Sequence, residues 1–335
     1  MVKIIRHGEP LFYSLWDELR LKMRYGCTSY SEVALQYYAQ RPKDKKQTML
    51  NKSFIIMEDS TPVIGFCGVD VTSREGRRLL AFEVPCFTIE NHGYAKHPSH
   101  KKIFLAEIEQ ILLDSDYNVW YRDLLVGGQL SIMSKYLLSH GATAEVISPI
   151  IIDLARDESE LKKDLRKSYK SLINWGAREM NPIILNNTTL SWENMLEFRE
   201  LHIRESGRET RSVESWRRQY DVVKAGKGFV VVGRIDNKLM SAGLFFYDEN
   251  SCYYQVSASR RDEFDKPLFH AILWTAIIQS KEIGCDWFEV GEHYYENIYK
   301  LVSLSQKDFN IGKFKAGFGG EIYPALDIKH KGTFI

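Results

Sequence analysis

Apolar positions along the chain follow two periods, and each change of period marks an element. LFYSLWDELRLKMRYG and YSEVALQYYAQ space their apolar residues three and four apart, which predicts two helices. SFIIME, PVIGFCGVDV and RLLAFEVPCF read as strands, the first two joined by the turn-forming EDST. KKIFLAEIEQILL returns to helical spacing, YNVWYRDLL is a strand, and QLSIMSKYLLSHG is a helix stopped at Gly141. TAEVISPIIIDL closes this half as a strand.

The second half repeats the order. A helix is predicted from Asp157 to Arg178, followed by ENMLEFRELHIRES and VESWRRQYDVVKAG, with Gly226 as a stop. GFVVVGRI and KLMSAGLFFY form a hairpin about Asp236–Asn237, and SCYYQVSA is the next strand. Leu268, Ile272, Leu273 and Ala276 share one face of a long helix, after which CDWFEVGE and EIYPALDI are strands. Each half thus runs helices, antiparallel strands, helix, strand, helix, strand. This predicts an α/β protein with mixed sheets and two tandem domains, 1–154 and 155–335.

Composition narrows this picture only slightly. The 335 residues suffice for two cores, and 44% hydrophobic with 27% charged residues is ordinary globular material. A net charge of +1 excludes binding to nucleic acid or membrane by bulk charge, but leaves room for a local basic pocket. Five cysteines, none at C-x-x-C spacing, predict buried thiols in a reducing compartment rather than zinc ligands or disulfides. No apolar run is long enough for a signal peptide or a membrane span, so a cytoplasmic protein without stable membrane insertion is expected. His92, His97 and His100 read as part of a surface loop, His270 as a hydrogen-bonded core residue, and no metal site is expected.

Four strings carry candidate chemistry. In KFKAGFGGEI, Gly317, Gly319 and Gly320 predict a loop whose amides approach a ligand, with Lys313 and Lys315 beside it to meet a polarised group. A plain glycine turn has the same composition. In LHIRESGRETRSVESW, Arg204, Arg208 and Arg211 gather between two helices, where they can fork onto phosphate or simply pair with Glu205 and Glu209. Lys163, Arg166, Lys167 and Lys170 line one face of the predicted 157–178 helix, either solvated or steering a polyanion. In WFEVGEHYYENIYKLVSLSQKDF, Glu289 and Glu292 follow a buried strand and can accept a proton or pair with a cation.

Taken in order, IIIDLARDESELKKDLRKSYKSLIN, LHIRESGRETRS, KLMSAGLFFY, HAILWTAIIQSKEIGCDWFEVG and KFKAGFGGE resemble the Fem-like branch of the GNAT acyltransferase superfamily. The resemblance is good from Ile150 onward and weak before it. It implies two tandem GNAT-like domains, the first degenerate. It also implies N-acyl transfer to an amine of a cell-envelope precursor: a nucleotide- or lipid-linked amino sugar, or a peptidoglycan stem peptide. The family's FK pair falls on Phe314 and Lys315, beside the reacting carbonyl. The family's phosphate-binding arginine is Arg208 or Arg211, and His202 lines the acceptor site. The implied co-substrate is acyl-CoA or aminoacyl-tRNA. The chain lacks both the family's charged coiled-coil insertion and the usual Q/R-x-x-G-x-G/A loop, so the donor stays open.

Chemically, Lys315 and the amides of Gly317–Gly320 are expected to hold the oxyanion, while Glu289, Glu292 or water takes the amine's proton. Two other readings compete. VKIIRHGEP resembles the RHGE signature of histidine phosphatases, with His7 as nucleophile and His140–Gly141 as a second His-Gly, although helical spacing precedes His140. The chain could also be a non-catalytic glycan- or peptide-binding module. Under the transferase reading the first domain, which lacks the glycine string, supports the fold and a wall of the acceptor cleft.

Overall fold

Strand segments of both halves join two mixed sheets, one in each of two units. The computed structural model describes residues 2–23, 28–39, 47–74, 76–91, 97–113, 117–263, 265–295 and 304–332. His92 and part of the string after Glu292 lie outside the described residues. One unit comprises Met1–Ser148, Tyr295–Ser303 and Tyr323–Ile335, and the other Pro149–Tyr294 and Leu304–Ile322.

The first unit begins with β1 (Val2–Arg6), α1 (Phe12–Arg20), α2 (Glu32–Ala39), β2 (Thr48–Asn51) and β3 (Phe54–Glu58). It continues with β4 (Thr61–Cys67), β5 (Val69–Ser73), β6 (Gly76–Leu80), β7 (Cys86–Glu90), α3 (Pro98–Leu113), β8 (Tyr117–Asp123), α4 (Ile132–Ser139) and β9 (Thr143–Ile147). The run PVIGFCGVDV, expected as one strand, breaks into β4 and β5 at Gly68. A Cβ there would stand 2.4 Å from the Phe66 ring. The sheet order is β1-β3-β4-β7-β8-β6-β5-β2, and β8 is parallel to β6 and β7. Successive residues of β3 serve opposite faces, as the two-residue repeat of a strand requires. Phe54 and Ile56 pack with Phe104 and Ile108 of α3, whereas Ile55 and Met57 pack with Phe12 and Trp16 of α1.

The second unit runs β10 (Pro149–Asp153), α5 (Glu158–Asp164), α6 (Tyr169–Met180), β11 (Ile183–Leu185), α7 (Trp192–Ser206) and α8 (Val213–Lys224). Then come β12 (Gly228–Ile235), β13 (Lys238–Tyr247), β14 (Ser251–Ser259), α9 (Leu268–Glu282), β15 (Trp287–Glu292), α10 (Gln306–Ala316) and β16 (Glu321–Ile322). The strand order is β11-β12-β13-β14-β15-β10-β16, and among the described residues only β14 and β15 pair in parallel. Asp236 and Asn237 take φ of 51° and 62°, making the expected hairpin turn. Ile272, Leu273, Ala276 and Ile277 of α9 are fully buried in the core with Phe229, Phe245 and Phe288.

The helix expected over 157–178 is two helices. Leu165 leaves helical geometry at ψ 138°, and the freed amide of Arg166 donates to the Gly317 carbonyl at 2.9 Å. The basic row is therefore split: Lys163 on α5, Arg166 and Lys167 at the junction, Lys170 on α6.

The last strand, β17 (Ala325–His330), belongs to the first unit, where it pairs antiparallel with β8 and β9. TAEVISPIIIDL, expected as one strand, is β9 and β10, which lie in different units. The units accordingly change over at 148/149 rather than 154/155, and the chain returns to the first unit at its end. Chemistry explains the return: Ile328 fills the first unit's core, and Asp327 accepts hydrogen bonds from Arg122 Nε at 2.8 Å and Trp120 Nε1 at 3.0 Å. Among the described residues, no helix is long and apolar enough to cross a membrane.

Candidate active site

The site is built around α10, the helix expected after β15, which runs on through Gly312 into the KFKA string. The helix starts at a capping box: the Ser305 hydroxyl accepts from the Asp308 amide at 3.4 Å, and the Asp308 carboxylate accepts from the Ser305 amide at 2.9 Å. Gly312 lets the helix lie against the end of β15, since a Cβ would stand 3.2 Å from the Tyr294 amide nitrogen. Lys313 and Lys315, expected beside a loop, fall in the last helical turn. Residues 307, 311, 314 and 315 share a helical face, and that face lines a cavity.

The C-terminal end of α10 is anchored by the α5–α6 junction. The Lys313 carbonyl accepts from Arg166 Nη2 at 2.8 Å, and the Phe314 carbonyl accepts from the Tyr169 hydroxyl at 3.0 Å. These bonds satisfy carbonyls that every helix end leaves open. They also give Arg166 a positioning role in place of the expected substrate contact, and Lys167 is exposed and does not line the cavity.

The glycine string has a different part from the one expected. The amides of Gly317, Phe318 and Gly319 donate to the carbonyls of Phe314, Lys315 and Ala316 at 3.1, 3.1 and 3.3 Å. They are thus unavailable to an oxyanion. What the glycines provide is close packing. A Cβ would stand 2.4 Å from the Tyr169 ring at Gly317, 2.8 Å from Asp164 Cβ at Gly319, and 2.7 Å from the Ile151 carbonyl at Gly320.

Lys315 sits where strands part. β14 and β15 pair only from Ser251–Tyr253 to Trp287–Glu289, and beyond those residues the parallel neighbours separate. A cavity of about 660 Å³ borders this end of β14, with Tyr254, His270, Phe314 and Lys315 in its wall and no β15 residue lining it. Lys315 Nζ lies 5.2 Å from the Tyr254 ring centroid. The amine rests on Gly291, at φ 120°, where a Cβ would stand 2.1 Å from Nζ. A register shift makes this room: Ile150 pairs with Gly291 while Ile151 pairs with Glu289. Burial holds the Lys315 pKa below the ordinary lysine value, and the charges of Glu292 and Glu289 oppose that shift. The structure thus brings Lys315, Glu289 and Glu292 into one electrostatic group.

The other wall comes from α7 and the loop after it. His202 and Arg208 line the cavity, while Arg211 stands behind, its Nη1 3.4 Å from His202 Nε2. Burial, reinforced by Arg211, lowers the His202 pKa to about 4. Arg208, Arg261 and Lys307 are exposed at the rim and make no side-chain ion pair among the described residues. Unlike Arg204 and Arg199, which pair with Glu205 and Glu209, they are open to a ligand's charge.

Sequence reasoning missed His270, Tyr254, Arg261 and Lys307. His270 lines the cavity rather than the core, and its ring lies edge-on to Tyr169 at 4.6 Å and Phe314 at 5.1 Å. Burial lowers its pKa to about 4. Tyr254 hydrogen-bonds Ser257, and burial pushes its pKa up to about 12. For Tyr254 and His270 the only signal was position, on the strand and the helix that precede the strand bearing Glu289.

The phosphatase reading finds no support. His7 follows β1, an edge strand antiparallel to β3, with its Nε2 3.2 Å from the Tyr13 hydroxyl. His140 caps α4, its Nδ1 donating to the Tyr136 carbonyl at 2.8 Å.

Both units share a strand–helix–strand–helix run whose parallel strands diverge, and the fold they define is the tandem GNAT fold of the Fem-like kind. Solved structures bear this out. FemX is similar over 88% of this chain and 94% of its own, with TM-score 0.59 and 11% identity. The C-terminal domain of a putative lysylphosphatidylglycerol synthetase from Agrobacterium fabrum is similar over 95% of this chain and 91% of its own, with TM-score 0.58 and 12% identity. A tandem GNAT protein of the clavulanic acid biosynthesis pathway is similar over 99% of this chain and 98% of its own, with TM-score 0.57 and 10% identity. No protein-family model and no curated protein matches the sequence.

Proposed function

We propose that this chain is an N-acyltransferase that moves an acyl or aminoacyl group onto an amine of a cell-envelope precursor, an amino sugar or a peptidoglycan stem peptide. The observation that carries the reading is Lys315, a desolvated amine at the wall of a roomy cavity with a cationic rim. The amine of the acceptor attacks the donor's carbonyl carbon and forms the new C–N bond. The carbonyl oxygen becomes an oxyanion, which the Lys315 ammonium stabilises in a site where little water competes. Glu289 or Glu292, or water, takes the proton from the attacking nitrogen. Collapse expels the donor's thiolate or alkoxide, which is protonated as it leaves. No covalent enzyme intermediate is needed.

Arg208, Arg261 and Lys307 suit a phosphate-bearing substrate, which donor and acceptor classes alike would supply. FemX and the lysylphosphatidylglycerol synthetase domain favour an envelope acceptor, and the tandem GNAT protein, whose name mentions AcCoA, favours acyl-CoA as donor. A donor screen tests the reading: labelled acyl-CoA and aminoacyl-tRNA, each offered UDP-linked amino sugars and stem peptides. Transfer is expected with one donor class and is lost in Lys315→Met. Near-normal turnover by a folded Lys315→Met protein would falsify the assignment.

A further inference from the structure

The first unit holds a cavity that this chemistry does not use. We propose that it binds an anionic monosaccharide, a sugar ring carrying one phosphate or carboxylate. The cavity measures about 330 Å³ and lies against β6, β8 and β17. That is the lower end of the size range of small-molecule sites, about 300–1,000 Å³.

Tyr38, Phe82 and Trp120 give it broad apolar walls, against which the C–H face of a sugar ring packs. Arg78 gives it charge. The Arg78 side chain makes no hydrogen bond or ion pair among the described residues, and its Nε is buried. With no acceptor among the described residues, the Arg78 guanidinium can offer its fork to an anion in the cavity. Lys329 and Lys331 add positive charge, with Glu83 the carboxylate among the lining residues. Lys329 is held only loosely by Glu145, at 3.8 Å.

Two features show that the walls are set in place. Ala81 and Val84 exchange backbone hydrogen bonds of 2.8 and 3.1 Å around Phe82–Glu83. Phe82 takes φ 61° in this turn, a left-handed conformation that bulky residues rarely adopt. Backbone strain of this sort concentrates at ligand sites, and here the strained residue lines the cavity. On the other side, the Trp120 indole is fixed by its bond to Asp327, which Arg122 holds in turn.

The test is calorimetric titration of the full chain with glucose 6-phosphate, glucuronate, glucose and inorganic phosphate, with tryptophan fluorescence in parallel. At least one anionic sugar is expected to bind about 10-fold or more tighter than glucose or inorganic phosphate. Whichever of the two binds better identifies the anion. Arg78→Met should weaken binding about 10-fold or more. Trp120→Phe should remove the fluorescence change, and it serves as a second probe should Arg78→Met not fold. Lys315→Met should leave binding untouched, which separates this site from the transfer site. Absence of saturable binding by any probe, or unchanged binding in both Arg78→Met and Trp120→Phe, overturns the proposal.

Discussion

The two units carry the same strand–helix–strand–helix run and differ at the place where its parallel strands part. In the second unit a cavity of about 660 Å³ borders the end of β14 that no longer pairs with β15, with a lysine in its wall and, at its rim, cations that make no side-chain ion pair among the described residues. In the first unit β7 and β8 pair in parallel only at Cys86–Tyr121 and Phe87–Arg122, and the space beyond measures about 90 Å³. There the chain fills its own gap with carboxylates. Glu90 accepts from the Ile132 amide at 2.7 Å, and Asp123 accepts from the amides of Ser131 at 2.8 Å and Leu125 at 2.9 Å. These acids take the amides at the start of α4, the natural place for an anion. One backbone plan thus carries an open cavity in one unit and a self-satisfied joint in the other, decided by a handful of side chains.

The contrast can be broken most directly at Lys315. Lys315→Met should cut kcat by about 10²–10³-fold with little change in Tm, as loss of an oxyanion-stabilising group does. Steady-state transfer assays with thermal melts check this, and an unchanged kcat would erase the difference between the units. Gly291→Ala should come next. Its Cβ would push the Lys315 amine off its seat and meet an unfavourable φ, so a loss approaching about 10²-fold is expected without any change in charge. Restoration of wild-type rate in a crystal-verified Gly291→Ala protein with Lys315 unmoved would locate the effect elsewhere. Arg208→Ala and Arg261→Ala should each raise KM for a phosphate-bearing substrate by about 10-fold, leaving kcat close to normal.

Smaller effects test the first unit. Asp123→Asn should destabilise the fold by about 1 kcal/mol through weaker capping of α4, while transfer activity stays at the wild-type level. Denaturant titration and the transfer assay, run on one preparation, decide this together. Acid should also act on the second unit's cavity. His202 and His270 have folded pKa values of about 4, against about 6.5 when unfolded. Between these values the unfolded chain binds more protons, so the stability these groups contribute is complete above about pH 6.5 and drains away as pH falls toward 4. His270→Phe should flatten that part of the pH–stability curve. An unchanged curve would show that His270 is not held neutral by burial.

Much of the fold was legible because apolar period is a local property: the hairpin at Asp236–Asn237, the buried helix α9 and the Gly226 stop all stand where the pattern puts them. The misreadings share a cause, which is a partner distant in sequence. The break between α5 and α6 exists because Arg166 finds the Gly317 carbonyl, a contact invisible to helical spacing. A helix after β15 was expected from the order of elements, but its reach into KFKA was not, because Gly312 reads as a loop residue and its absent side chain matters only against Tyr294. At the site, FKAGFGG pointed to a lysine that does line the cavity, while its glycines pack closely against Tyr169, Asp164 and Ile151. His270 and Tyr254 carry no motif, and their relevance comes only from where β14 and β15 diverge.

The return of β17 to the first unit has a consequence for biosynthesis. While the ribosome is still making the second unit, the edges of β8 and β9 that β17 will cover have no partner, and the hydrophobic slot for Ile328 stands open. The N-terminal portion therefore emerges first yet is completed last. A nascent chain halted before residue 325 would expose that bare edge to other chains and invite aggregation or chaperone capture.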